Sequence, residues 1–275
     1  MDAAGTDSVD LIEHRSGGIR LYVNPRCSTA VAPDDLLRLP EIVSDLPGRS
    51  TRQKGLPTSW RWHPAWGPEA GLVVRLYAHG GLLGPALGTR FLSARRMLNE
   101  LRTAIRACDD GVPTAVPLAV RIERTAGAFL TAHYVSEAVP DTVDLLTLLT
   151  APNAAPPAAS AARRRLALAA ADAVAAMHNA GIRHADLSLG NLLVQGTLDA
   201  ARVFIIDFDK ARRTDAVTPR QRIANLLRLD RSVRKRPASR EAVGPQDRLR
   251  FLRAYADACP HRQPDWRQVA RHCGA

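Results

Sequence analysis

Between Arg163 and Asp209 the chain reads as one long helix, an abrupt stop, a polar loop and two short strands. Arg163 to Ala180 is built from strong helix formers, and Gly181 stands where a C-terminal cap belongs, so a helix ending there is predicted. Ile182 to Asn191 reads as a loop. Leu192-Leu193-Val194 and Arg202-Val203-Phe204-Ile205-Ile206 read as strands, the second running into Asp207.

The segment Gly181-Ile182-Arg183-His184-Ala185-Asp186-Leu187-Ser188-Leu189-Gly190-Asn191-Leu192-Leu193-Val194, followed by Val203-Phe204-Ile205-Ile206-Asp207-Phe208-Asp209, resembles the catalytic core of the protein-kinase superfamily. The shared register is H-x-D-L-x-x-x-N, a strand, then D-F-x. The resemblance implies that Asp186 meets the acceptor hydroxyl and that Asn191 and Asp207 bind Mg²⁺ on the ATP phosphates. The residue types suit that chemistry. Phosphoryl transfer needs a metal to neutralise the β- and γ-phosphates, and a carboxylate that orients the nucleophile and takes its proton late. By the same resemblance His184 braces the loop, and Asp209 is read as satisfying a turn backbone.

Upstream, Leu72-Val73-Val74-Arg75-Leu76-Tyr77 reads as a strand closed by the turn His79-Gly80-Gly81, and a helix is predicted from Ser93 to Ala107. Further strands are predicted at Leu118–Ile122 and Ala128–Val135, with brief ones at Ile19–Val23 and Trp60–Trp62. A kinase's third strand carries a Lys that pairs with nucleotide phosphates and with a Glu on the next helix; here Arg75 and Glu100 take those places. Arginine keeps the charge, but its planar fork cannot occupy an ammonium's position unchanged. Gly48-Arg49-Ser50 with Gly55 follows the glycine-rich phosphate loop only in outline, with Gly48 its first candidate and Lys54 a second cation within reach. Tyr134 and Glu137 fall where the adenine-binding connection belongs. Asp141-Thr142-Val143-Asp144 is read as the acidic first turn of a short helix, and Ala151 to Ser160 as a Pro/Ala linker.

Val74 to Leu82, the helix Glu, Gly111-Val112-Pro113, His-Ala-Asp-Leu, Ile-Asp-Phe-Asp and Asn225 to Ser232 together resemble the bacterial lipopolysaccharide kinases, specifically the 3-deoxy-D-manno-octulosonic acid (Kdo) kinases, over roughly residues 45–255. That resemblance implies an α+β, bilobal protein-kinase-like fold, with a small β-rich amino-terminal lobe and a larger, mostly helical carboxyl-terminal lobe. The expected division is a nucleotide-clamping lobe over 1–137 and a catalytic lobe with a basic tail over 138–275. It also implies ATP, Mg²⁺ and transfer to a hydroxyl of a Kdo residue in the lipopolysaccharide inner core. Only 68 residues follow Asp207 and none spells A-P-E, which leaves little room for the platform on which protein kinases lay a peptide. The expected acceptor is small or lipid-linked.

Composition narrows the partners. With 46% hydrophobic and 24% charged residues the chain is an ordinary globular one, and no apolar run approaches the roughly 20 residues of a membrane-spanning helix. Met1 to Ser16 carries four acidic residues and no secretory pattern, so a cytoplasmic protein is expected. Cys27, Cys108, Cys259 and Cys273 form no C-x-x-C pair, and neither a disulfide framework nor a zinc site is expected. The net charge of +11 is localised: residues 1–209 hold 21 basic and 21 acidic side chains, residues 210–275 hold 17 and 6. Arg228, Arg231, Arg234, Lys235 and Arg236 are candidates to meet an anionic glycolipid, such as a Kdo-containing lipid A precursor, and the cytoplasmic face of the inner membrane as a peripheral protein. Nucleic acid is not expected, for no binding motif occurs and only 5% of residues are aromatic. Two other readings stay open: a kinase of another small acceptor such as heptose or an antibiotic, and a nucleotide-binding pseudokinase.

Overall fold

Residues that alternate between two faces build the amino-terminal half into a seven-stranded antiparallel sheet. Its strands are β1 (Ile12–Ser16), β2 (Ile19–Val23), β3 (Gly48–Arg49), β4 (Ser59–Trp62), β5 (Leu72–Leu76), β6 (Pro117–Arg124) and β7 (Leu130–Glu137), in the order β1-β2-β6-β7-β5-β4-β3. The computed structural model describes residues 9–49, 59–79, 87–150, 160–197, 200–259 and 266–273. Gly80, Gly81, Lys54, Gly55 and residues 151–159 of the expected linker lie outside the described residues.

Leu72 and Val74 of β5 join a cluster with Leu21, Leu36, Leu39 and Val135 on one face. Val120, Ile122 and Ala132 join Met97, Leu101 and Ile105 on the other. A register shift between Pro117 and Ala119 lets β6 supply both layers, with Leu118 and Ala119 to the first and Val120 and Ile122 to the second. The first layer is covered by two short helices, α1 (Pro33–Leu37) and α2 (Leu39–Ser44), which sequence reading missed. Pro33 and Pro40 stand in their first turns, where the missing N–H leaves no bond unmade. Helices of five and six residues do not stand alone in water. Burial of Leu36 and Leu39, at roughly 2 kcal/mol each, holds them. The second layer receives α3 (Arg95–Asp109), which begins two residues later than expected.

The chain divides into two units, Met1–Arg106 with Val116–Ala138, and Ala107–Ala115 with Val139–Ala275. The second opens with β8 (Thr142–Asp144) and α4 (Leu145–Thr150). Asp141 to Asp144 is therefore not a helical first turn. Thr142–Asp144 pairs with a later strand, and Asp144 caps α4 from outside by accepting the Thr147 N–H at 2.8 Å. The long helix α5 (Ser160–Asn179) ends as predicted before Gly181, whose φ is +75°. A Cβ there would come within 2.1 Å of the Thr214 carbonyl oxygen, so shape and backbone both demand glycine. Next come β9 (Ile182–Arg183), β10 (Leu192–Gln195), β11 (Arg202–Ile205) and β12 (Arg212–Arg213). β11, β10 and β8 make one small sheet and β12 pairs with β9.

Helix α6 (Pro219–Arg234) starts on a capping box. Thr218 Oγ1 accepts the Gln221 N–H and Gln221 Oε1 accepts the Thr218 N–H, with Pro219 as the first helical residue. Helices α7 (Pro237–Ala242), α8 (Pro245–Asp257) and α9 (Trp266–Cys273) complete the unit.

Two buried histidines make the fold acid-sensitive. Burial pushes the imidazoles of His133 on β7 and His178 on α5 down to about 4 from an ordinary 6.5. Their stabilising contribution is complete above pH 6.5 and is lost as pH falls from there toward 4, because the unfolded chain takes up protons that the fold excludes. We expect each to remove about 2 kcal/mol between pH 7 and pH 5. Thermal melts across that range check this; a midpoint that stays flat to pH 5 would contradict it.

Candidate active site

The loop between β9 and β10 and the turn after β11 are tied by a closed ring of four hydrogen bonds. The Asp186 N–H donates to His184 Nδ1 at 3.2 Å, and His184 Nε2 bonds the Ile206 carbonyl at 3.1 Å. The Ile206 N–H donates to the Asn191 carbonyl at 3.0 Å, and Asn191 Nδ2 returns to the Asp186 carbonyl at 2.8 Å. The ring fixes the His184 tautomer. Nδ1 accepts a backbone hydrogen, so the proton sits on Nε2 and the imidazole is neutral. Burial accordingly lowers the His184 pKa below its ordinary value. His184 thus braces the loop, and Asp186, Asn191 and the residue before Asp207 are members of one ring.

The Asp186 side chain is exposed and supplies none of the ring's bonds, since its own N–H and carbonyl do so. Asn191 closes a single 3₁₀ turn (Leu189–Asn191) leading into β10. With its Nδ2 committed to Asp186, its Oδ1 is the atom left to serve as a metal ligand. Asp207 occupies the left-handed region at φ 66°, ψ 65°, between β11 and a 3₁₀ turn over Phe208–Lys210. That conformation breaks the strand's alternation and re-aims its carboxylate. Phe208 is buried with its ring 5.6 Å from that of His184, and Asp209 lies within the turn. A carboxylate and a carboxamide oxygen are hard donors. Two such groups suit a magnesium ion that completes its shell with phosphate oxygens and water.

In the other unit, Arg75 faces α3 because it alternates with Val74, which points into the opposite layer. Its Nη2 lies 2.5 Å from Glu100 Oε1, and the Tyr77 hydroxyl donates to Glu100 Oε2 at 2.5 Å. Glu100 is 1% exposed and sits on α3's apolar face among Met97, Leu101 and Ala104. Tyr77 is a residue that sequence reading missed. The available signal was its spacing of two from Arg75, which puts both on one face. Burial first and the Glu100 charge second push the Tyr77 phenol well above its ordinary pKa, so it stays a donor. The Arg75 guanidinium also lies 4.7 Å from the Tyr77 ring centre and 5.4 Å from that of Tyr134.

Tyr134 is thus inside β7 opposite Arg75 rather than in a connection, and Glu137 ends that strand. Gly48 lies on the edge strand β3, paired with Trp60, not within a loop. On α6, Arg228, Arg231, Arg234 and Lys235 are exposed and fall with Arg220 on one helical face, and Arg236 follows. Arg234 pairs with the buried Asp230, which Arg248 also meets at 3.1 Å. An apolar cavity lined by Leu145, Leu166, Leu192, Leu226, Leu252 and Phe251 has none of Asp186, Asn191 and Asp207 in its lining. Among the described residues no helix is long and apolar enough to cross a membrane.

Residues 83–255 match the model of the lipopolysaccharide kinase (Kdo/WaaP) family, a span that includes Glu100, Asp186, Asn191 and Asp207 and begins after Arg75. The 3-deoxy-D-manno-octulosonic acid kinase of Vibrio parahaemolyticus is 30% identical over 173 residues, covering 62% of this chain and 67% of that protein. The enzyme of the same name from Vibrio cholerae is 30% identical over 178 residues, with 61% and 67% covered. That from Actinobacillus succinogenes is 29% identical over 170 residues, with 60% and 67% covered. Among solved structures, WaaP in complex with acyl carrier protein superposes with a TM-score of 0.57 over 92% of each chain at 23% identity, a likeness of fold.

Proposed function

The chain belongs to the lipopolysaccharide kinase (Kdo/WaaP) family and is a phosphotransferase, and from that premise we propose that it moves the γ-phosphoryl group of ATP onto a hydroxyl of a Kdo residue in the lipopolysaccharide inner core. The observation that carries this reading is the ring that gathers Asp186, Asn191 and the Asp207 turn. Asp186 accepts the hydrogen bond of the acceptor hydroxyl, aims its oxygen at phosphorus, and takes its proton as the new P–O bond forms and the bond to the leaving ADP oxygen breaks. Asn191 Oδ1 and the Asp207 carboxylate hold Mg²⁺. When bound, that ion neutralises charge on the phosphate oxygens. Arg75, held by Glu100, meets nucleotide phosphate, and Tyr77 keeps Glu100 in place from the other side.

The acceptor is anionic and lipid-linked, and the basic face of α6 suits it. Arg220, Arg228, Arg231 and Lys235 attract an anionic bilayer at about 1 kcal/mol each, which supports peripheral association with the cytoplasmic face of the inner membrane. Purified protein incubated with MgATP and Kdo-lipid A, or with heptosylated acceptors, tests the reading by mass spectrometry of the product. One added phosphate on Kdo is expected. Phosphate on heptose alone would move the chain to the other acceptor class, and nucleotide binding without any transfer would make it a pseudokinase.

A further inference from the structure

Helix α6 grips the loop at two amides. Asn225 Oδ1 accepts the His184 N–H at 3.1 Å, and two turns later Ser232 Oγ accepts the Leu189 N–H at 3.1 Å. Behind Asn225 runs a series of buried polar groups that the reaction above does not use. His178 Nε2 lies 3.1 Å from the same Asn225 Oδ1, His178 Nδ1 lies 2.7 Å from the Tyr255 hydroxyl, and Arg222 Nη1 lies 3.1 Å from that hydroxyl. Arg222, Tyr255, His178 and Asn225 are all buried.

The hydrogens in this series can run only one way. Asn225 Oδ1 has no hydrogen to give, so His178 Nε2 must carry one. His178 Nδ1 is then an acceptor and takes the Tyr255 hydrogen. The Tyr255 oxygen in turn takes a hydrogen from Arg222. Arg222 gives its remaining bonds to the Val217 and His178 carbonyls, Asn179 Oδ1 and Cys259 Sγ, so these four acceptors and the Tyr255 oxygen are all neutral. A guanidinium buried on neutral partners is an expensive way to fill a core that apolar side chains could fill. Its charge polarises a hydrogen-bonded chain that ends at the loop carrying Asp186.

We propose that Tyr255 and His178 are positioning residues for phosphoryl transfer: with Arg222 they form a buried relay that orients the Asn225 carboxamide, and through the His184 amide it fixes where Asp186 stands. The proposal rests on the reading of Asp186 as the group that meets the acceptor hydroxyl. Tyr255→Phe removes one oxygen and keeps the ring's packing. In the full-length protein it lowers kcat about 10-fold to 100-fold with KM for ATP and for the acceptor unchanged. It also speeds hydrogen exchange at the His184 amide, followed by mass spectrometry of peptides covering residues 182–190. His178→Leu does the same, whereas His178→Gln, which can donate to Asn225 and accept from Tyr255, recovers most of kcat.

A folded Tyr255→Phe protein with wild-type kcat and wild-type exchange would overturn the relay while leaving the Asp186 reading intact. If the wild-type chain transferred no phosphate, that reading would fail instead, and the exchange rate alone would decide whether the relay holds the loop.

Discussion

Asp186→Asn lowers kcat for phosphate transfer by about 10²-fold to 10⁴-fold, the range supplied by a positioned general base. Nucleotide binding and the melting temperature stay close to wild type. The separation follows from the ring: Asp186 joins it through its own N–H and carbonyl, so an asparagine of the same size leaves all four bonds in place. Radiolabelled transfer assays, nucleotide titration and a thermal melt on the same preparation check it. Turnover within a few-fold of wild type in a folded Asp186→Asn protein would remove Asp186 from the reaction.

Glu100→Ala acts on both stability and nucleotide affinity. The carboxylate is 1% exposed and is shared by Arg75 and Tyr77, so its removal leaves a part-buried guanidinium and a buried phenol facing an apolar helix. Breaking one side of such a pair destabilises by about 3–5 kcal/mol. The urea midpoint is expected to fall accordingly and KM for ATP to rise as Arg75 loses its fixed direction. Glu100→Gln separates the two effects. It keeps the shape and an acceptor for Tyr77, so it recovers most of the stability while KM stays raised. An unchanged urea midpoint in Glu100→Ala would show that the pair contributes nothing to the fold.

Much of this was legible in the sequence because local rules and site chemistry coincide there. Gly181 announced the end of α5, alternation in Leu72 to Tyr77 announced β5, and the resemblance to the kinase register pointed to the loop and turn that carry Asp186, Asn191 and Asp207. The failures have physical causes. Helices α1 and α2 were missed because nothing local separates a first-turn proline such as Pro33 or Pro40 from a loop proline, and only the sheet they cover decides. Asp144 was read inside a helix because an acidic first turn and an acidic cap look alike in one dimension. Tyr77 and the relay of Arg222, Tyr255 and His178 escaped notice because their partners stand 23 to 77 positions away in the chain. The left-handed turn at Asp207 left no sequence mark, since aspartate tolerates that conformation without requiring it.

That turn limits how the chain can be engineered for heat resistance. A residue other than glycine in the left-handed region costs roughly 1–2 kcal/mol of backbone strain, so a redesign guided by backbone strain alone would favour glycine at position 207. The resulting protein would tolerate more heat and would have discarded the carboxylate to which we assign magnesium. Any thermostabilised version must leave this one discomfort in place and gain its robustness elsewhere.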